Sequence, residues 1–542
     1  MARTAPARML RRIAAEHLPS TAPASPAAGA LSRRGLLQGL AAGAGLAAVT
    51  AVGAASPARA ATPPVVAVVG AGIAGLTTAL RLADHGIACT VYEADAARVG
   101  GRIFSQPAGA YWSDGQVSEW GGELIDSGHV TMHQLAQRFG LPLDDLRAAE
   151  PVGTTEVYRF GGGYYSFADA SADFKGVRPA IQRDLASFDW AELGWAGQPG
   201  PAAVALSNLT IRDWIATRVP GGLASRFGKL LDVAYTTEFG VDTTEASALG
   251  ILGVLGYQPT PSGFALFGES DTRYHVRGGN QRLPQAIAAA LPAGTVRHGW
   301  QLRAVTAVSG GRQQLAFTAD GCTRTVVADH TVLALPLGVM QRLDLSGSGF
   351  DALKRASLGA MTMGRNAKLS LQFDGRPWNG AGPWGLASGS TMSETGYQTS
   401  WETSRAQAGG KGILTVYAGG SRADAFTPSA PFRTAADPKV ARYASTALSQ
   451  LEGVFPGITG HWTGKATLAA WPLNPLAYGS YAAWPPGYAH RYAGYEGVRQ
   501  GNTHFAGEYT SEVAQGYMEG GAESGVRAAD EVLVDLGVTP AG

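Results

Sequence analysis

The hydrophobic pattern begins with Val65-Val66-Ala67-Val68-Val69, an uncharged run of the kind buried on both faces of a parallel sheet. It breaks at Gly70, Gly72 and Gly75. Leu76, Ala79, Leu80, Leu82 and Ala83 then recur at helical spacing until His85-Gly86. Ile87 to Tyr92 predicts a second strand, closed by Glu93. From Thr131 to about Glu269 the pattern turns helical: Met132, Leu135, Ala136 and Phe139 share a face, and Ile211 to Ile215 and Phe227 to Leu231 look similar. Aromatic residues concentrate there (Tyr158, Phe160, Tyr164, Tyr165, Phe167). Strands are predicted for Val296 to Val308, Gln314 to Phe317 and Thr325 to Leu335, ending at Pro336. Asn366 to Phe373 alternates, with Ala367, Leu369, Leu371 and Phe373 on one face and Lys368, Ser370 and Gln372 on the other. Phe505-Ala506 ends a last strand. A helix starts near Gly516-Tyr517-Met518-Glu519-Gly520-Gly521 and turns Val526, Ala529 and Leu533 inward.

Strand, glycine turn and helix together carry chemistry. Gly70, Gly72 and Gly75, with Ile73 and Ala74 between them, have the spacing that turns the chain, admits a pyrophosphate and packs a helix on the sheet. The phosphates would face a helix N-terminus. Glu93 stands about 20 residues on, where a carboxylate accepts from a ribose diol. With 74 glycines in the chain, the spacing alone is weak. Its strand, helix and acid make it a dinucleotide site.

Gly100-Gly101-Arg102, Glu119-Trp120-Gly121-Gly122-Glu123, Lys368, Gly479-Ser480-Tyr481 and Gly507-Glu508 through Gly516-Tyr517-Met518-Glu519-Gly520 follow in order along the chain. Through them the sequence resembles the flavin-containing amine oxidase family, which includes monoamine, polyamine and L-amino-acid oxidases. The resemblance implies an α/β architecture: a Rossmann-like FAD-binding domain interleaved with an α+β substrate-binding domain. The FAD-binding parts would be residues 61–130, 270–336 and 487–542, and the substrate parts 131–269 and 337–486.

The resemblance also implies roles. Gly101 and Arg102 would lie against the pyrophosphate and flavin, with Gly121 and Gly122 along the flavin ring. Glu508 would reach the ribityl and phosphate region. Val305 would lay its backbone on the adenine, unless it is an ordinary strand valine. Met518 would aim its amide at the flavin carbonyl. Glu123 would either meet a cationic amine or be satisfied by backbone N–H groups. Lys368 would hold a water at the flavin edge; otherwise it is a solvated strand lysine. Tyr481 and Tyr517 would wall the substrate slot, with Trp471 and Trp484 as alternatives. Ser480 stands where some members carry a cysteine that links to the flavin, so FAD is expected to be non-covalent. The expected reaction takes an amine and dioxygen to an imine and hydrogen peroxide. The alternatives are an L-amino-acid oxidase, a flavin dehydrogenase or desaturase with another acceptor, and a secreted protein without catalysis. Several amino-acid oxidases carry an arginine two residues past the Gly-Gly-Arg arginine; here that position is Phe104.

Composition narrows the setting. At 542 residues, 45% hydrophobic and 16% charged, the chain is a globular protein of two joined domains. The first sixty residues hold seven Arg and one acid. The remainder carries 36 basic and 41 acidic residues and gives no reason to expect nucleic acid or an anionic membrane as partner. Ser32-Arg33-Arg34-Gly35-Leu36-Leu37, a mild apolar run to Ala55 and Ala58-Arg59-Ala60 predict a twin-arginine signal over residues 1–60, read by the export machinery and cleaved before Ala61. An uncleaved anchor is the alternative, and no later stretch predicts a membrane span. The protein would thus be secreted or periplasmic. Cys89 and Cys322 are expected as free thiols. Two cysteines exclude a cysteine-rich metal site, and no metal site is predicted. Whether the chain forms a homo-oligomer stays open.

Overall fold

The computed structural model describes residues 63–260 and 263–540. The twin-arginine segment and its cleavage site lie outside the described residues. Strand Val66–Val69 is the centre of a five-stranded parallel sheet. Its order is Thr503–Phe505, His330–Leu333, Val66–Val69, Thr90–Tyr92, Val296–Arg297. No residue of the central strand is more than 2% exposed, which is why its sequence is apolar at every position. Helix Ile73–Asp84 follows, and the final helix Met518–Asp535 lies against it. The Thr78 hydroxyl donates to the Gly525 carbonyl at 3.0 Å. A Cβ on Gly525 would stand 2.3 Å from the Ala74 oxygen, so only glycine permits this approach.

The expected strand from Val296 to Val308 divides in two. Val296–Arg297 edges the parallel sheet, while Gln301–Val308 starts an antiparallel meander with Arg312–Ala319 and Cys322–Ala328. Gly299, at φ +74°, makes the break. The stretch from Thr325 to Leu335 likewise splits, at Asp329, between the meander and the parallel sheet. The second strand is shorter than expected, Thr90–Tyr92, with Cys89 just before it. Cys89 is half-buried and Cys322 exposed, and both are free thiols.

The second large sheet has eight strands in the order Phe432–Thr434, Trp462–Ala470, Asn366–Phe373, Gly412–Gly419, Thr399–Glu402, Ala387–Ser393, Thr155–Phe160, Gly163–Tyr165. Two of these strands fall inside the stretch expected to be helical. Tyr158, Phe160, Tyr164 and Tyr165 belong to this sheet edge, where pairing with neighbouring strands outweighs the surrounding helical pattern. Helices Phe167–Ala186, Arg226–Phe239 and Ala248–Leu255 build a separate apolar core beside it. Asn366–Phe373 is buried along both faces. Its apolar face enters the core with Trp378 and Leu414. Its polar face is covered by polar partners: Gln372 donates to Gln116 at 2.9 Å, and Ser370 meets Thr415 at 2.8 Å. No helix among the described residues is long and apolar enough to cross a membrane.

Candidate active site

Both large sheets line a cavity of about 380 Å³, and three clusters of residues define its chemistry. The first surrounds the glycine turn. Helix Ile73–Asp84 has no side-chain cap, and Leu76 is the first amide to return to the Gly72 carbonyl, at 3.0 Å. The amides of Ile73, Ala74 and Gly75 are therefore donors without helical acceptors. A Cβ on Gly72 would meet nothing within 4 Å, so the backbone borders open space. Glu93 is fixed beside it, accepting from the Ala71 amide at 2.6 Å and the Asp95 amide at 2.7 Å. Burial raises its pKa against those two bonds. Trp300 and Leu302 complete this wall.

The second cluster joins distant segments. Arg102 donates to the Glu508 carboxylate and the Ser480 carbonyl, both at 2.8 Å. Glu508 also accepts from the Gly516 amide at 2.9 Å. The final helix begins here with Tyr517 as its N-cap residue and no side-chain cap, so its first amides, Met518 included, are unsatisfied within the helix. Two helix N-termini thus open on one cavity, each favouring negative charge.

The third cluster sits on the polar face of the eight-stranded sheet. Strand register places Lys368 beside Tyr417, and Tyr417 beside Thr399. The Lys368 ammonium donates to Glu123 at 2.5 Å and to the Gly121 carbonyl at 3.0 Å. Glu123 also accepts from Trp401 and Thr403, each at 2.9 Å. Burial pushes the Glu123 pKa up, but the Lys368 ammonium and the Trp401 N–H outweigh it and hold the carboxyl below its ordinary value. The Tyr481 hydroxyl donates to the Thr237 carbonyl at 2.8 Å and meets the Tyr417 hydroxyl at 3.1 Å. The Tyr517 ring packs edge-on against His129, and its hydroxyl is buried without a hydrogen-bond partner. Glu156 and Glu238 add carboxylates to the wall.

Residues 73–533 match the model of the flavin containing amine oxidoreductases. The chain belongs to that family. L-amino-acid oxidase of Mus musculus is 24% identical over 498 residues, 88% of this chain and 72% of the relative. Among solved structures, wild-type putrescine oxidase bound to putrescine superposes with a TM-score of 0.71 at 20% identity, covering 87% of this chain and 99% of its own. Cyclohexylamine oxidase from Brevibacterium oxydans gives a TM-score of 0.71 at 20% identity, covering 88% of this chain and 100% of its own. These structures share its α/β fold. The chain is accordingly an oxidoreductase acting on amine donors, with a flavin as cofactor.

The amine oxidoreductase cavity suits a flavin dinucleotide in its donor set: two open helix starts, a fixed acceptor at Glu93, and bare backbone at Gly121 and Gly122. A Cβ on Gly121 would fall 1.9 Å from the Arg102 carbonyl, and one on Gly122 would fall 2.7 Å from Met518 Sδ. Of the residues singled out from the sequence, Gly70, Gly72, Ile73, Ala74, Glu93, Gly101, Arg102, Gly121, Gly122, Glu123, Lys368, Tyr481, Glu508, Tyr517 and Met518 line the cavity. Gly75 instead packs the turn, since a Cβ there would lie 1.9 Å from the Gly70 oxygen.

The geometry decides among the alternatives the sequence left open. Val305 does not line the cavity: it is fully buried in the core beneath the meander, and its amide donates to Asp344. Leu302, at the start of that strand, reaches the wall instead. Glu123 is satisfied by side chains, not by backbone N–H groups, and its carboxylate faces Lys368. Lys368, correspondingly, is not a solvated strand lysine. Trp471 lines the cavity, whereas Trp484 packs against the helical core. Phe104 joins an aromatic cluster, stacked on Trp120 and edge-on to Phe432.

Sequence reasoning missed Tyr417, Trp401, Glu156, Glu238 and Leu302. Each comes from its own strand or helix, and no spacing links them; only the packing of the sheets and helices does. Asn280 was also missed as a fastener. Its carboxamide donates to the Gly122 and Glu123 carbonyls at 3.0 and 2.8 Å and accepts from Val276, fixing the loop under the cavity. The Arg277-Gly278-Gly279-Asn280 string was the available signal.

Proposed function

We propose that the protein holds FAD non-covalently and oxidises the C–N bond of a small amine, with dioxygen as acceptor, to an imine or its aldehyde and hydrogen peroxide. When bound, the flavin supplies the hydride acceptor and the route to oxygen. The helix starts at Ile73 and Met518 hold negative charge, Glu93 holds the ribose, and Arg102 with Glu508 holds the segments between them. Lys368 spends two of its three N–H donors on Glu123 and Gly121 and keeps the third for a water. Tyr417, Tyr481 and Tyr517 line the approach with rings whose faces favour a cationic or electron-rich nitrogen. Ser480 supports the non-covalent reading: a hydroxyl, bonded to Asn366 at 2.5 Å, stands where a linking thiol would be needed. The Arg33-Arg34 signal supports export through the twin-arginine route.

The observation that carries the amine reading is the state of the arginines on the wall. Glu156, which accepts from Tyr158 at 2.7 Å, and Glu238 lie on it, while its arginines among the described residues, Arg98 and Arg102, are committed to Gly101 and Asp95 and to Ser480 and Glu508. A substrate carboxylate would find no arginine fork there. The L-amino-acid oxidase reading draws on the sequence relatives alone. Anaerobic flavin bleaching and aerobic peroxide release with tyramine, cyclohexylamine, putrescine, leucine and lysine decide. Amines are expected to bleach the flavin at least about a hundredfold faster than leucine, a difference of about 2.7 kcal/mol. Faster bleaching by leucine would establish the amino-acid oxidase instead, and bleaching without peroxide a different acceptor.

A further inference from the structure

Away from the cavity, two histidines and a carboxylate converge where the final helix ends over the parallel sheet. His504 lies in the edge strand Thr503–Phe505 opposite Val332 of the next strand. His330, two residues before Val332, shares its face. Asp535 is the last residue of helix Met518–Asp535. His330 is 7% exposed and His504 0%. His330 Nδ1 and His504 Nε2 are both buried without a hydrogen-bond partner. They stand 3.7 and 3.6 Å from the same oxygen, Asp535 Oδ2, and the three atoms lie within 4.8 Å of one another.

Those separations are too long for hydrogen bonds. The two nitrogen–carboxylate separations are close to the edge of a coordination tetrahedron, about 3.4 Å when metal–ligand bonds are about 2.1 Å. The surrounding bonds leave these atoms for such an ion. His504 Nδ1 is 2.8 Å from Glu531 Oε2, which orients Nε2 toward Asp535. Glu531 in turn takes Arg527 at 2.7 Å, and the other Asp535 oxygen takes Arg499 at 2.6 Å. A carboxylate behind a ligating imidazole is the usual outer support of a metal site. The carbonyl end of a helix adds partial negative charge where a cation would sit. A proton satisfies one ring nitrogen at a time; a divalent cation bonds all three atoms at once.

We infer that His330, His504 and Asp535 form a three-ligand site for a divalent transition metal, zinc foremost, which ties the last turn of the final helix to two strands of the parallel sheet. Two imidazoles and one carboxylate suit zinc, cobalt, nickel or copper and disfavour calcium or magnesium, which take oxygen ligands. The fourth position is left for water.

The test uses the flavin-loaded protein stripped with a chelator, then titrated with zinc by calorimetry and followed by thermal unfolding. About one equivalent per chain is expected to bind, with a melting point a few degrees higher. Cobalt substitution is expected to give the visible absorption of a four-coordinate ion, and magnesium no shift. Asp535→Asn, at a helix end, and His330→Gln are each expected to abolish the zinc-dependent shift while the flavin stays bound. Binding well below one equivalent, or an equal zinc shift in both variants, overturns the assignment.

Discussion

Lys368 and Glu123, 5% and 7% exposed, neutralise each other inside the cavity wall. Removing one partner of such a pair leaves a buried charge alone, which costs about 3–5 kcal/mol. Lys368→Met in the flavin-loaded protein is therefore expected to lose stability on that scale in urea unfolding. Adding Glu123→Gln is expected to recover most of it, because the stranded charge goes with it. Equal losses in the single and double variants would show that the pair is not what holds the loop. The alternation of Asn366 to Phe373 told which face Lys368 takes. It did not tell what waits there, because the partner arrives from a loop 245 residues away.

At the scale of elements, the cavity depends on two helices approaching closely enough for both N-termini to border it. Gly525 sets that distance. Gly525→Ala is expected to cost about 1–3 kcal/mol through overpacking against the Ala74 carbonyl and to lower the flavin retained on purification, read by absorbance. Gly359→Ala is the control: that helical position has open space around a Cβ, so it is expected to gain up to about 1 kcal/mol. A normal flavin content and stability in Gly525→Ala would contradict the packing argument. Both helices were legible from their periodicity, as was the glycine turn. Gly525 was not, since in a helix that contains several glycines nothing in the sequence marks the one a neighbour touches. The strands inside residues 131–269 were obscured for a similar reason: short edge strands take their stability from the sheet they join, not from local preference.

The whole molecule adds a pH dependence away from the cavity. Lys354 is fully buried, donating to the Tyr495 and Glu496 carbonyls, and burial pulls its pKa from 10.5 down to about 7. Burial pushes the neighbouring Glu496 carboxyl from 4.5 up to about 7, against the bond it accepts from Tyr488. Between pH 4.5 and 7 the folded chain binds more protons than the unfolded one at Glu496, so this group's contribution falls as pH rises. Between pH 7 and 10.5 the unfolded chain binds more at Lys354, so that contribution rises. Glu496→Gln keeps an acceptor for Tyr488 and removes the first slope. Its unfolding free energy relative to the parent is expected to improve from pH 5 to pH 7, by up to about 1.4 kcal/mol per unit. A difference that is flat across urea titrations at pH 5, 6 and 7 would refute the assignment.

By itself the sequence determined the glycine turn and the position of the acid that follows it, the final helix, the polar face of Lys368 and, through its ordered motifs, the family. These are local: spacing within one strand, one turn or one helix encodes them. Tertiary structure alone decided that Leu302 and not Val305 reaches the cavity, that Lys368 meets Glu123, that Tyr417 and Trp401 stand beside them, and that His330, His504 and Asp535 converge. Each of those depends on strand register or on a helix's docking angle, where contacts between distant segments set the geometry and no short-range pattern records it.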